Sequence, residues 1–330
     1  MLNKKFKLFS SCFPVKGVNQ GVVIDIQRQN YYLIPNQIID ILIEYSSKKI
    51  YDLFRDFKDD KHILKKYIRF FITNELLIVS NDVDRFPAIN TDFVRPYSID
   101  TLNLELGISH SILKDVLKEK IEKLGISNIR LICRDFDLAE LYQILKIFNK
   151  SRVKSIILYL EYDVTKEDEL IKLQNKFIRL AVVIFYKARI ENETENSQFV
   201  YDRRPLEEIL SMKITHRNNF SFSIQGFIES LHYNSAYNRT IYIDSLGNIK
   251  RHLNDESVFG NLSSHDLETV ILNEGIVNFW NISKDKVKIC RDCEFRYICP
   301  DGSIPLISED GSNYVKSHDC IYDPYTNIWR

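Results

Sequence analysis

Four cysteines near the end of the chain have the residue type and spacing that bind soft metals. Cys290 and Cys293 enclose two residues, Cys299 follows after five more, and Cys320 after a further twenty. A Cys-x-x-Cys turn aims two thiolates at one centre, and two more from the following loop complete a tetrahedral set. Zn²⁺ and a 4Fe-4S cluster both accept four sulfur ligands, so the spacing leaves these two open. The competing assignment is a pair of disulfides, which would belong to an exported chain. The opening run MLNKKFKLFSSCFPVKG is interrupted by charge and carries Pro and Gly, unlike a signal segment. A single metal site with Cys290, Cys293, Cys299 and Cys320 as ligands is therefore expected. Cys12 and Cys133 stand alone, and Cys133, at the end of an apolar run, reads as a packed core thiol. His252, His265 and His318 lack a spaced partner and read as surface side chains rather than ligands.

The rest of the chain must position these thiols. Its 330 residues suffice for two or three domains with a sizeable core. With 45 basic and 45 acidic side chains the net charge is zero, which points away from nucleic acid or an anionic membrane as the main partner. No apolar run approaches the roughly 18 residues of a membrane span, and the expected location is cytoplasmic. The fold class expected is α/β. Residues 1–85 read as a small α+β module: a hairpin of Gly21–Ile26 and Tyr31–Ile34, then helices opening at Pro35, near Tyr51 and near Lys61, and a closing strand at Leu76–Val79. The first of these helices is expected to present Ile38, Ile39, Leu42 and Ile43 on one face. Phe86–Arg95 reads as a linker. Over residues 86–235 apolar runs at Ile99–Leu106, Ile129–Cys133, Ser155–Leu160 and Val182–Phe185 alternate with amphipathic helices, the signature of parallel strands in a partial βα barrel. Phe220–Ile224 reads as one further strand after a polar, irregular stretch. Residues 236–330 hold a strand and Gly-containing turn at Tyr242–Asn248, a helix near Leu267–Leu272, and the cysteines.

The order of strands followed by three helices resembles the winged-helix module that binds leader peptides in peptide-modifying enzymes. The run YIDSLGNIK, then VFGNL, then CRDCEFRYIC and a distant Cys resembles the SPASM domain, the auxiliary-cluster domain of radical-SAM peptide maturases. The whole chain resembles the SPASM-domain protein of grasp-with-spasm systems, which is encoded with an ATP-grasp ligase and a small precursor peptide. Position by position, the four cysteines correspond to the ligands of the second auxiliary cluster. The first cluster's set is missing, since Lys250, Arg251 and His252 occupy the run after Gly247 and Ser303 the position four after Cys299. Radical-SAM catalysis also needs a Cys-x3-Cys-x2-Cys loop after the first barrel strand, where this chain reads GISHSILKDV. The resemblance thus implies a radical-SAM-like scaffold without its functional cluster.

Two kinds of function follow. The first is an accessory protein in the maturation of a ribosomally synthesised peptide, not catalytic alone. It would bind the precursor, a partner ATP-grasp ligase, or both, while that ligase forms side-chain ester or amide crosslinks. The ATP chemistry belongs to the ligase, because no Walker-type GxxxxGK[ST] loop occurs in this chain. The alternatives are an iron–sulfur redox enzyme acting on a peptide and a zinc-stapled interaction protein. Four Cys close a metal's coordination shell, which weighs against an open catalytic position.

Overall fold

The computed structural model describes residues 2–107, 118–134, 137–189, 198–214 and 216–330. The chain gathers into two compact units. Unit 1 comprises Met1–Phe93, Ile214–Tyr233 and Ile282–Arg330, and unit 2 comprises Val94–Lys213 and Asn234–Asn281. These boundaries differ from three consecutive segments divided after residues 85 and 235. The reason lies in the N-terminal sheet, whose second face is buried by side chains from late in the chain.

Unit 1 opens with β1 (Lys5–Leu8), β2 (Cys12–Lys16), β3 (Gly21–Asp25) and β4 (Asn30–Ile34), then α1 (Asn36–Glu44), α2 (Ile50–Asp56), α3 (Lys61–Thr73) and β5 (Leu77–Ser80). The expected hairpin is β3 with β4. Its turn is closed by Asp25 Oδ1, which accepts from the backbone N–H of Gln27 and Arg28. β2 adds to the other side of β3, giving the order β2-β3-β4, whereas β5 pairs with β1 in a separate two-stranded sheet. All five residues of β3 are buried, as in a strand covered on both faces. Alternation then decides which core each side chain enters. Val23, Tyr32 and Ile34 face the helices, and Val22, Ile24 and Tyr31 face the opposite way. In α1, Ile38, Ile39 and Leu42 are buried as expected, but Ile43 is exposed because it falls just past the margin of that apolar stripe.

Unit 2 begins with β6 (Thr101–Glu105), α4 (Lys118–Leu124), β7 (Asn128–Cys133), α5 (Leu138–Asn149), β8 (Ser155–Glu161), α6 (Glu167–Lys176), β9 (Leu180–Tyr186), β10 (Phe199–Tyr201) and α7 (Leu206–Leu210). The next helix, α8 (Ile224–His232), belongs to unit 1. Unit 2 resumes with β11 (Thr240–Ile243), β12 (Asn248–Lys250), β13 (Gly260–Asn261), α9 (Leu267–Val270) and α10 (Glu274–Trp280). The strands form one sheet in the order β10-β9-β8-β7-β6-β11-β12-β13. Every pairing from β10 to β11 is parallel, and β12 and β13 add antiparallel through a turn at Gly247, whose φ is +83°. The βα alternation is thus present, and Asp137 caps α5 by accepting from Ala139 N–H.

The expected strand at Phe220–Ile224 does not form. Ser223 instead accepts from Gly226 N–H and caps α8, so Ile224 is the first residue of a helix. The added parallel strand is β10, inside the stretch that reads as irregular. On one face of the sheet, Ile132, Tyr159, Tyr186 and Tyr242 pack against Leu206, with Ile209 and Leu210 of α7 beside them. The GISHSILKDV run after Leu106 lies, beyond Gly107, outside the described residues. Among the described residues no helix is long and apolar enough to cross a membrane.

Candidate functional site

Unit 1 ends with the cysteine stretch and four short strands, β14 (Pro305–Ile307), β15 (Tyr314–Lys316), β16 (Tyr322–Asp323) and β17 (Ile328–Trp329), which pair as two hairpins. Cys290 starts a 3₁₀ turn, and Cys293 N–H donates to Cys290 O at 3.0 Å, so the Cys-x-x-Cys is one tight turn. Ile289, just before it, has a φ of 70°, which a β-branched residue adopts only under strain. The turn meets the N-terminal sheet directly. Val18 N–H donates to Asp292 O at 2.8 Å, and a Cβ at Gly17 would lie 2.9 Å from both Glu294 N and Glu294 Oε2. Only glycine permits that approach.

All four cysteines are free thiols, each partly buried. Cys293, Cys299 and Cys320 pack against the core formed by Val15, Val22, Ile24, Phe220, Phe295 and Tyr322. Burial pushes the Cys290 thiol up to about 12, opposed by the Lys316 and Lys284 ammonium groups. Burial also raises Cys293 well above the usual thiol range, reinforced by Cys299 and Glu294, while Phe295 N–H donates to it. Cys299 is raised by burial too, against Lys284 and a donated Asp301 N–H. Backbone N–H groups directed at sulfur are what a metal thiolate uses to spread its charge. Cys290, Cys293, Cys299 and Cys320 are thus of the donor type that a thiophilic centre takes. Among the described residues, however, no three His, Cys, Asp or Glu side chains converge as a set that could hold a metal ion.

Several polar groups beside the thiols carry no signal in the sequence. Asp301 is buried between Lys316 Nζ at 3.1 Å and His318 Nε2 at 3.2 Å. Burial raises its carboxyl, but the Lys316 ammonium holds it below the usual range. Glu294 is fully buried; its Oε1 accepts from Tyr322 OH at 2.6 Å and Gln20 Nε2 at 2.7 Å, while Oε2 has no partner. The three histidines are not grouped with the thiols as ligands: His252 stacks near Tyr237 and Phe279, His265 Nδ1 accepts from Asn261 N–H, and His318 pairs with Asp301. Cys12 and Cys133 are both buried core thiols.

The sheet that supports the cysteine turn has two edges with different protection. β2 carries Pro14, and its Lys16 carbonyl accepts from Arg296 Nη1 at 2.7 Å. Both devices block a sheet edge. β4 pairs only with β3 among the described residues, and Leu33 on it is 48% exposed. Tyr31 and Tyr32 lie on either face of β4, stacked on Phe222 and edge-on to Phe70 respectively.

No protein-family model matches the chain, and no curated protein matches it. Three crystal structures of SuiB from Streptococcus suis align with it along nearly its whole length. The one bound to S-adenosylmethionine covers 96% of this chain and 99% of its own, at 12% identity and a TM-score of 0.39. A second covers 97% and 99%, at 12% identity and a TM-score of 0.41. The one bound to the precursor peptide SuiA covers 96% and 99%, at 13% identity and a TM-score of 0.41. Similarity at that level establishes neither family nor activity.

Proposed function

We propose that this protein is an accessory factor in peptide maturation that holds a ribosomally made precursor peptide for a partner ATP-grasp ligase. The observation that carries this reading is the open edge of β4. An extended peptide adds to such an edge through main-chain hydrogen bonds, and flanking side chains select its sequence. Tyr31, Tyr32 and exposed Leu33 supply that flank. Holding a peptide in one place raises its effective concentration for a second enzyme without new chemistry.

Two features support a role without catalysis by this chain. The four cysteines account for all but two of the six thiols, and the remaining pair is buried in separate cores, so a three-thiolate radical-SAM loop has no ligands to draw on. Tyr159, Tyr186 and Tyr242 on the parallel sheet pack with Leu206, Ile209 and Leu210 of α7. Cys290, Cys293, Cys299 and Cys320 would hold the metal, either Zn²⁺ or 4Fe-4S. A closed four-thiolate Zn²⁺ cross-links chain segments, whereas a 4Fe-4S cluster would add one-electron transfer.

The test is co-expression of the tagged chain with a candidate precursor peptide and a candidate ATP-grasp ligase, followed by affinity recovery and hydrogen exchange. Recovery of the peptide, with slowed exchange at the amides of residues 30–34, is expected, as is loss of both in Leu33→Lys. A peptide recovered without protection of β4, or no peptide at all, refutes the edge reading. Turnover of the peptide by the isolated chain would instead favour a redox enzyme.

A further inference from the structure

Unit 1 carries a second candidate binding surface, lined by neither the residues of β4 nor the thiols. Between α2 and α3 lies an open groove of about 590 Å³ floored by Ile50, Phe54 and Ile68 and rimmed by Lys65, Lys66 and Arg69. Helix α3 reads KHILKKYIRFFIT: four Lys or Arg and no acidic residue, in a chain whose net charge is zero. Lys65, Lys66 and Arg69 are exposed and make no ion pair or hydrogen bond among the described residues. Three cations without an acidic partner thus line one apolar floor, unlike Arg28, Arg134 and Arg251, whose charges are met by carboxylates.

We propose that this groove receives an acidic amphipathic helix of a partner protein. The proposal stands independently of the β4 reading. Apart from Leu2, the lining residues all belong to α2 and α3, which offer no free strand edge, so the occupant that fits is one that satisfies its own backbone hydrogen bonds, as a helix does. Lys65 and Arg69 are one turn apart, about 6 Å on the helix surface, the same repeat at which a second helix presents carboxylates at i and i+4. Apolar side chains on the adjacent stripe of that helix would cover Ile50, Phe54 and Ile68. A single lipid carboxylate or phosphate matches one cation and leaves the spaced set unused.

The probes are two labelled synthetic helix-forming peptides with the same leucine stripe, one carrying Glu and the other Lys on the flanking positions. Fluorescence anisotropy at about 50 mM salt is expected to give at least tenfold tighter binding for the Glu peptide, weakening as salt rises. The triple variant Lys65→Glu/Lys66→Glu/Arg69→Glu should lose at least tenfold. Its three exposed positions leave Leu64, Ile68 and Phe71 in the core, and an unchanged thermal unfolding curve would verify the fold. Equal affinity for both peptides, or a triple variant that binds the Glu peptide as the parent does, overturns the proposal. So does binding to phosphatidylglycerol vesicles that the triple variant abolishes while Glu-peptide binding is absent.

Discussion

Replacing Phe295 by alanine tests whether the cysteine stretch and the N-terminal sheet share one core. Phe295 is 2% exposed, with ring centroids 4.7 Å from Phe220, 5.2 Å from both Tyr31 and Tyr322, and 6.1 Å from Trp329. Tyr31 comes from β4, Phe220 from the segment before α8, and Tyr322 and Trp329 from the final hairpin. Truncating a buried phenylalanine costs about 3–5 kcal/mol. Four aromatic neighbours drawn from three segments leave little freedom to collapse into the cavity, which places this site near about 4 kcal/mol. For a unit of roughly 160 residues that is a fall in Tm of about 8–16 °C. The assay is urea unfolding followed by Trp329 fluorescence in a Trp280→Phe background, together with thiol titration of the native protein by Ellman's reagent. Loss of the ring should also speed modification of Cys293, Cys299 and Cys320, which pack on the same core. A stability loss below about 1.5 kcal/mol, or unaltered thiol reactivity despite a large loss, would refute the shared core.

Cys293→Ser should abolish metal binding and lower the stability of unit 1, as read by metal analysis and thermal unfolding of anaerobically purified protein; unchanged metal content and stability would rule the thiol out as a ligand. Asp255 is raised by burial but lowered more by the Arg251 guanidinium, with bonds of 2.6 and 2.9 Å, and by Ser257 N–H, so its net pKa lies below the ordinary value. A depressed folded-state pKa gives stability that is full above the unfolded value near 4 and fades as pH falls through the folded one. Acid unfolding of unit 2 should therefore steepen below about pH 4 and be shallower in Asp255→Asn, a variant also weakened by about 1–3 kcal/mol at neutral pH. Gly125 has a φ of +79°, and a Cβ there would overlap the Tyr97 ring, whereas Gly311 has a φ of +70° with open space around it. Gly125→Ala should cost more than about 2 kcal/mol and Gly311→Ala about 1 kcal/mol, and equal effects in chemical denaturation would contradict the packing argument.

Much of unit 2 is legible because its signals are local and repeated. Each apolar run of β6 to β8 is followed by a helix pattern, and crossover geometry leaves parallel pairing as the simple outcome. β1 and β2 escape notice because KFKL and CFPVK carry lysines and a proline, and become strands only when β5 and β3 offer partners. The run FSFSI from Phe220 alternates like a strand, yet its apolar side chains are recruited by Tyr31 and Phe295 while Ser223 caps a helix. The cysteine spacing is fully visible in the sequence; the partners of Glu294 and Asp301 are not, since Gln20 and Lys316 are brought to them only by the fold. The same long-range aromatic packing gathers three separate stretches of the chain into unit 1, and no local pattern encodes it.

The placement of the thiols suggests what a metal held by them would do for the fold. The loop from Pro300 to Asp319 contributes few apolar side chains to any core, so its order cannot come from hydrophobic burial. Cys299 and Cys320 bracket that loop, and a metal bound by both would close it, restricting the unfolded chain and adding binding energy to folding. The residues immediately flanking the ligands are those that grip the N-terminal sheet: Asp292 accepts from Val18, Glu294 abuts Gly17, and Phe295 packs on Tyr31. Tyr31 is in β4, the strand with the open edge. Metal binding and peptide capture should consequently be linked through one sheet, and a chelator that strips the metal should weaken peptide binding without touching the peptide's own contacts. Peptide affinity that is indifferent to metal removal would separate the two sites and leave the thiols a purely local staple.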